Sequence, residues 1–351
     1  MRVCYFGSYN RNYSRNRVII KGLKQNDVDV IECQDASIFW ARCFKLFWKY
    51  LQTKKHDAII VGAQGHANVL IAWFLSRVFN RRLVFDPFIS LYDTAVFDRK
   101  EVDRKSMKAK YYYYLDKISC KLADVVIADT KQHAKYFSKG FAIPKEKIKV
   151  IYIGADDGVF YPREVSRQNN KCIVEFHGSF VPLQGVPYII KAAKILEKEN
   201  IIFKIIGKGQ TYGEVLKLSK GLKVKNVSFL GWVNYENLPN YIAEADVCLG
   251  IFGDTEKAKR VIPNKAFEIL AMRKPLITSD SSAVREVLTH EENTLLCEMA
   301  DPESLAEAIL TLKDDEILRS KIAEKGYRLY KERFTPLKIG EEVKGIVEEI
   351  C

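Results

Sequence analysis

No apolar run in this sequence is long enough to cross a bilayer, so no transmembrane span is expected. The eight cysteines (Cys4, Cys33, Cys43, Cys120, Cys172, Cys248, Cys297 and Cys351) lie far apart with no CxxC pair, and the five histidines form no ligand-spaced pair. Neither a disulfide scaffold nor a metal site is expected; the cysteines read as reduced core residues of a cytosolic protein. The opening MRVCYFGSYN enters a strand pattern at once and lacks the layout of a signal peptide, which points to the cytoplasm. No RRM or zinc-finger signature accompanies the basic stretches, so no nucleic-acid partner is expected.

Acidic residues are scarce in one half only. Residues 1–155 hold 28 Lys+Arg against 14 Asp+Glu, a net +14, whereas residues 156–351 hold 28 against 30, a net −2. An excess of one sign confined to one half suggests an anionic partner for that half, such as a membrane surface or a phosphorylated acceptor. At 351 residues the chain suits two domains, each able to bury a core. Strand–loop–helix units recur along it, the pattern of a parallel sheet. The polar stretch 163–170, REVSRQNN, reads as a linker.

In the first half, Gly7 and Ser8 follow the first strand, where a glycine lets backbone approach a ligand at the carboxyl edge of a sheet. Arg11, Arg15 and Arg17 make that loop basic and suit phosphate. A helix over Ile38 to Leu51 carries Trp40, Phe44, Phe47 and Trp48, with Arg42, Lys45 and Lys49 on a narrow stripe. That is the chemistry of a helix lying in a membrane interface; the ordinary alternative is a core helix with an aromatic face. Arg99 to Lys110 holds six basic and two acidic residues and runs into four tyrosines, repeating the pattern. Asp86, Asp93 and Asp98 follow the strand Leu83 to Phe85 and are candidates to orient or deprotonate a hydroxyl, against the plainer reading of each as a turn or cap.

In the second half, the run from Ala245 to Phe252 reads as a buried strand, Gly253-Asp254-Thr255 as a turn, and Pro263-Asn264-Lys265 as a helix start. A basic loop feeding a helix N-terminus suits a phosphate. Glu268 lies one turn on, beside Lys265 and Asn264, where a carboxylate suits the hydroxyls of a ribose; its plainer reading is a solvated partner of Lys265. Gly207-Lys208-Gly209 nearly makes a dinucleotide fingerprint, but the third glycine is one residue late and no acidic residue ends the following strand, which argues against NAD.

The stretch Leu249 to Ala271 resembles the donor-nucleotide motif of the family-four retaining glycosyltransferases (glycosyltransferase group 1), and landmarks along nearly the whole chain are similar to that family. The resemblance implies an α/β protein of GT-B fold: two Rossmann-like, doubly wound domains facing a cleft. The expected limits are 1–162 for an acceptor-side domain, 171–335 for a nucleotide-sugar domain, and 336–351 for a helix crossing back to the first. It implies transfer of a sugar from a nucleotide-sugar to an acceptor hydroxyl with retention, with no cofactor or metal. The departing diphosphate is then held by cations, N–H groups and helix N-termini.

Under that resemblance the donor contacts are Gly7, Ser8, Gly178, Ser179, Gly207, Lys208, Gly209, Trp232, Val233, Asn264, Lys265 and Glu268. The reacting centre is served by Asp86, Asp93, Arg260 and Lys265, and Arg11, Arg15, His66, Trp40, Lys45 and Lys49 lie on the acceptor or membrane side. The chain departs from the family in four places. Arg260 stands where the first of two glutamates is usual, Ser179 where an arginine is usual, Gln184 where a lysine is usual, and Asp86 at or near the place of a histidine. The partners expected are a nucleotide-sugar, a lipid-phosphate-linked acceptor and an anionic membrane face. Two other readings remain open: a GT-B nucleotide-sugar epimerase, and a nucleotide-sugar-binding protein that has lost catalysis.

Overall fold

Strands buried on both faces read as continuous apolar runs, and such runs form the middle of each half of this chain. The computed structural model describes residues 1–165 and 170–351, with only the backbone of Phe39. Four residues of the expected linker, 166–169, lie outside the described residues. The chain folds as two compact units, the first made of Met1–Asp156 with Arg333–Cys351 and the second of Asp157–Glu332.

The first unit runs β1 (Arg2–Gly7), α1 (Ser14–Gln25), β2 (Asp29–Gln34), α2 (Phe39–Leu51), β3 (Ala58–Val61), α3 (Val69–Val78), β4 (Arg82–Phe85), α4 (Met107–Leu122), β5 (Val125–Ala128), α5 (Lys131–Phe141) and β6 (Ile148–Val150). All pairings are parallel, in the order β2-β1-β3-β4-β5-β6. The β1-to-β2 step runs opposite to every later one. Right-handed crossovers therefore put α1 on one face of the sheet and α2 to α5 on the other. On the α2-to-α5 side, Phe6, Ile59, Val61, Leu83 and Phe85 pack against Leu46, Leu75 and Phe137. Thr130 caps α5 by accepting from the His133 N–H.

The second unit runs β7 (Cys172–His177), α6 (Val186–Ile195), β8 (Ile201–Ile206), α7 (Tyr212–Gly221), β9 (Val227–Gly231), α8 (Leu238–Glu244), β10 (Val247–Leu249), α9 (Asn264–Ala271), β11 (Leu276–Ser279), β12 (Leu295–Cys297), α10 (Pro302–Asp314) and α11 (Glu316–Arg333). Its sheet is also parallel, ordered β12-β11-β10-β7-β8-β9. The order reverses beside β7, so the crevice outside the carboxyl ends of β7 and β10 is the expected ligand position. The strand expected to reach Phe252 ends at Leu249. Gly250 lies against Thr278, and the chain then turns so that Phe252 and Gly253 donate to the carbonyls of Gln184 and Leu183.

The last helix, α12 (Pro336–Ile350), packs on α1 of the first unit. Thr335 caps it, and the two helices meet at Gly22 and Gly340. Asn26 adds a hydrogen bond to the Leu337 carbonyl at 2.8 Å.

Candidate active site

In the second unit the carboxyl ends of β7 and β8 meet through glycines. A Cβ on Gly207 would lie 1.9 Å from the Gly178 carbonyl oxygen, and both residues have positive φ, +126° and +154°. The Gly178 N–H donates to the Ile206 carbonyl and the Phe180 N–H to that of Lys208. This close approach leaves Ser179, Lys208 and Gly209 exposed at the sheet's edge. Trp232 and Val233 follow β9 at the same edge, with the Trp232 ring 69 % exposed.

α9 points its N-terminus at this edge. Lys265, in its first turn, is buried; its Nζ donates to Gln184 Oε1 at 2.6 Å and to the Gly250 carbonyl at 3.3 Å. The ammonium stands over the Phe176 ring, 3.5 Å from its centre. Burial pushes its pKa well below the usual lysine value, against the opposing pull of Glu175 and Glu268. The Lys265 cation thus reaches the side chain of Gln184, the position where the resembled family carries its lysine. Asn264 points a buried Oδ1 that has no hydrogen-bond partner. Arg260, in the loop before α9, has Nη1 4.0 Å from Glu256.

Glu268 is brought to His177, whose Nε2 lies 3.2 Å from Glu268 Oε2 while Nδ1 lies 3.0 Å from Glu175 Oε1. Burial alone would lower the imidazole pKa, but the charge of Glu175 and hydrogen bonds to Glu175 and Glu268 carry it up to about 9. His177 is therefore an imidazolium at neutral pH, donating to both carboxylates. Glu175 and His177 were not among the residues singled out from the sequence. Their signal was a charged and a titratable residue alternating at the end of an apolar strand, Glu175-Phe176-His177. Strand alternation puts 175 and 177 on one face.

The first-unit candidates have other partners. Gly7, with φ +127°, lies against Asn68, whose Nδ2 donates to Ser8 Oγ at 2.9 Å. Arg15, expected at an acceptor, is fully buried. It donates from Nε to Asp86 Oδ2 at 2.7 Å and from Nη1 to the carbonyls of Ile151 and Tyr152. Asp86, expected to serve the reacting centre, is the other half of that pair, with burial raising its pKa against the Arg15 charge. Asp93 and Asp98 are buried as well. The Arg15–Asp86 pair ties α1 to the chain after β4, and the Arg15 bonds to Ile151 and Tyr152 tie it to the chain after β6. His66, expected on the acceptor side, is buried with Nε2 3.1 Å from Asp116.

The basic loop does make a cavity, of about 520 Å³. Arg11, Arg17, Lys21 and Lys24 line it against Asp156. Lys21 meets Asp156 at 2.5 Å, and Arg11 and Lys24 meet Glu32 at 3.0 Å. On α2, Lys45 donates to Ser37 and Lys49 to the Gln34 carbonyl, and Trp40 is 81 % exposed.

Comparison with known proteins agrees with this architecture. Residues 160–329 match the family model described as "Glycosyl transferases group 1". An uncharacterized 41.2 kDa protein in the cps region of Klebsiella pneumoniae is 27 % identical over 59 % of this chain and 56 % of its own length, so the match spans little more than half of that relative. The alpha-D-kanosaminyltransferase of Streptomyces kanamyceticus is 22 % identical over 89 % of this chain and 83 % of that one. Anabaena HepE, solved with UDP and glucose, shares the fold with a TM-score of 0.74 at 17 % identity, covering 99 % of each chain. The matched segment 160–329 covers just under half of the chain, and the two Rossmann-like units of parallel strands share the GT-B fold of the solved neighbours.

Proposed function

We propose that this protein moves a sugar from a nucleoside-diphosphate sugar to an acceptor hydroxyl, with retention at the anomeric carbon and without a resident metal. The bond from the anomeric carbon to the diphosphate breaks, one to the acceptor oxygen forms, and negative charge gathers on the departing diphosphate. One observation carries the reading: a buried, desolvated ammonium (Lys265) and the N-terminus of α9 stand at the glycine-lined edge of β7, one helical turn from a buried carboxylate (Glu268) held by His177. Cations and N–H groups fixed in place before the charge develops stabilise it most, because nothing has to reorganise. We assign diphosphate to Lys265, Arg260, Ser179 and the N–H groups after Gly178, and ribose to Glu268 with Asn264 beside it. The nucleotide base is assigned to the backbone at Trp232 and Val233. Asp86 and Asp93, both buried, we keep as candidates to orient the acceptor hydroxyl.

We place the acceptor on the first unit. The +14 charge of residues 1–155 and the arginine–lysine cavity suit an acceptor bearing phosphate, carried on a lipid at the cytoplasmic face of a membrane. The test is a thermal-shift screen of nucleoside diphosphates and their sugars, followed by assay of nucleoside diphosphate release with and without polyprenyl-phosphate-linked sugars. UDP is the first probe, because HepE was solved with it. Stabilisation by one nucleotide class, with release that needs acceptor, is expected. Release with no acceptor requirement favours an epimerase, and tight binding with no turnover favours a lapsed enzyme.

A further inference from the structure

We infer that the outer faces of α2 and α3 together form a surface that lies on an anionic bilayer. The inference deepens the membrane part of the function proposed above and does not depend on the chemistry of the second unit. The two helices are neighbours on one face of the first sheet, joined where the Tyr50 ring meets Phe79 at 5.5 Å. Each turns large apolar side chains outward. On α2, Trp40 is 81 % exposed, Phe44 65 % and Trp48 50 %; on α3, Leu70 is 54 % exposed, Phe74 52 % and Val78 58 %. Single exposed apolar residues are ordinary, but a run of them on two adjoining helices marks a surface that something covers.

The occupant is read from the charge. Residues 38–55 and 69–82 contain eight Lys and Arg and no Asp or Glu. Lys45, Lys49, Lys54 and Lys55 lie along and just beyond α2, and Arg77, Arg81 and Arg82 at the end of α3 and the start of β4. An apolar, aromatic face bordered by these cations matches lipid chains below a layer of anionic headgroups. A protein partner would have to supply an apolar patch ringed by acids. Among the described residues no helix is long and apolar enough to cross a membrane, so both helices would lie in the interface plane. Tryptophans and long basic side chains are the residues that settle at that depth. The sequence alone pointed to α2 and to the stretch from Arg99 to Tyr114, not to α3. The folded chain shows that the inner side of α3 (Val69, Ala72, Leu75) suffices for the core and leaves the other side outside.

The experiment is sedimentation of the full chain with vesicles of phosphatidylcholine carrying 30 % phosphatidylglycerol, and with phosphatidylcholine alone, at 50 and 500 mM salt. No nucleotide is present, so failure of the transferase reading leaves the result intact. The wild type is expected to bind the anionic vesicles, to bind less at high salt, and to show a blue shift in tryptophan emission. Trp40→Ser/Phe44→Ser and, separately, Phe74→Ser/Val78→Ser are each expected to lower partitioning at least tenfold while keeping the circular dichroism and melting temperature of the wild type. Three outcomes would overturn the inference. One is equal, negligible binding to both vesicles, and another is full binding by the α3 variant, which leaves α2 alone. The third is a concentration-dependent dimer of the wild type that the α3 variant abolishes, which would make a second copy the occupant. If a double variant fails to fold, Phe74→Gln alone is read in the same assay.

Discussion

Lys265 places a cation where the neighbouring chain segment has none of its own. Its Nζ and Gln184 Oε1 are 2.6 Å apart, so the ammonium delivered by α9 and a lysine at 184 would compete for one position. Removing Lys265 as Lys265→Met is expected to weaken nucleoside diphosphate binding at least tenfold, about 1.4 kcal/mol. Gln184→Lys alone gains nothing, because two ammoniums at that separation cannot both stay charged in a buried site. The pair Lys265→Met/Gln184→Lys is expected to regain most of the loss. Calorimetric titration of UDP or the best diphosphate of the screen into the three variants checks this; a double variant no better than Lys265→Met would remove the idea that one cation stands in for the other.

His177 gives a pH signature. Its folded pKa, about 9, is above the ordinary 6.5, so the stability it contributes is fully present below about pH 6.5 and lost as pH rises through 9. Lys265, held low by burial, pulls the opposite way, so the readout is a difference between two proteins. Between pH 6.5 and 9 the wild-type melting temperature is expected to fall relative to that of His177→Gln, and parallel curves would refute the imidazolium. These contacts were the least legible part of the sequence. Glu268 and Lys265 stood out because helix spacing is local and because their stretch resembles the family's donor-nucleotide motif. The Arg15–Asp86 and His177–Glu268 pairs span 71 and 91 residues, and neither periodicity nor spacing reports a partner that far along the chain.

At the scale of elements the sequence was far more informative, because parallel strands buried on both sides announce themselves as apolar runs. Helix starts were legible where a cap lay in the sequence, as with Thr130 before α5. The end of β10 was not. The apolar run continues to Phe252, yet Gly250 packs on Thr278 and the chain leaves the ladder, trading strand pairing for bonds to Leu183 and Gln184. The packing of α12 on α1 depends on another pair of glycines. A Cβ on Gly340 would lie 2.0 Å from the Gly22 carbonyl carbon, whereas one on Gly345 meets nothing within 4 Å. Gly340→Ala is therefore expected to cost about 1–3 kcal/mol through overpacking. Gly345→Ala, in the same helix, is expected to be neutral or to stabilise by up to about 1 kcal/mol. Urea unfolding of both variants checks this, and equal midpoints would contradict the close helix contact.

For the whole molecule, charge and family divide along the chain in the same way. The excess of +14 belongs to residues 1–155, and the family match to residues 160–329. That division was visible in the sequence because net charge needs no knowledge of contacts. The apolar outer face of α3 was not, because exposure is decided by which neighbours the fold supplies. We propose that the second unit holds a nucleoside-diphosphate sugar, with Glu268 as the carboxylate that meets the ribose. The most direct measurement is calorimetric titration of UDP, or the best nucleotide of the screen, into the wild type and Glu268→Ala. Loss of a buried, charge-assisted hydrogen bond is worth roughly 1.5–3 kcal/mol. Binding is therefore expected to weaken about ten- to a hundredfold in a variant whose circular dichroism is unchanged. A folded Glu268→Ala protein that binds the nucleotide as tightly as the wild type would contradict it.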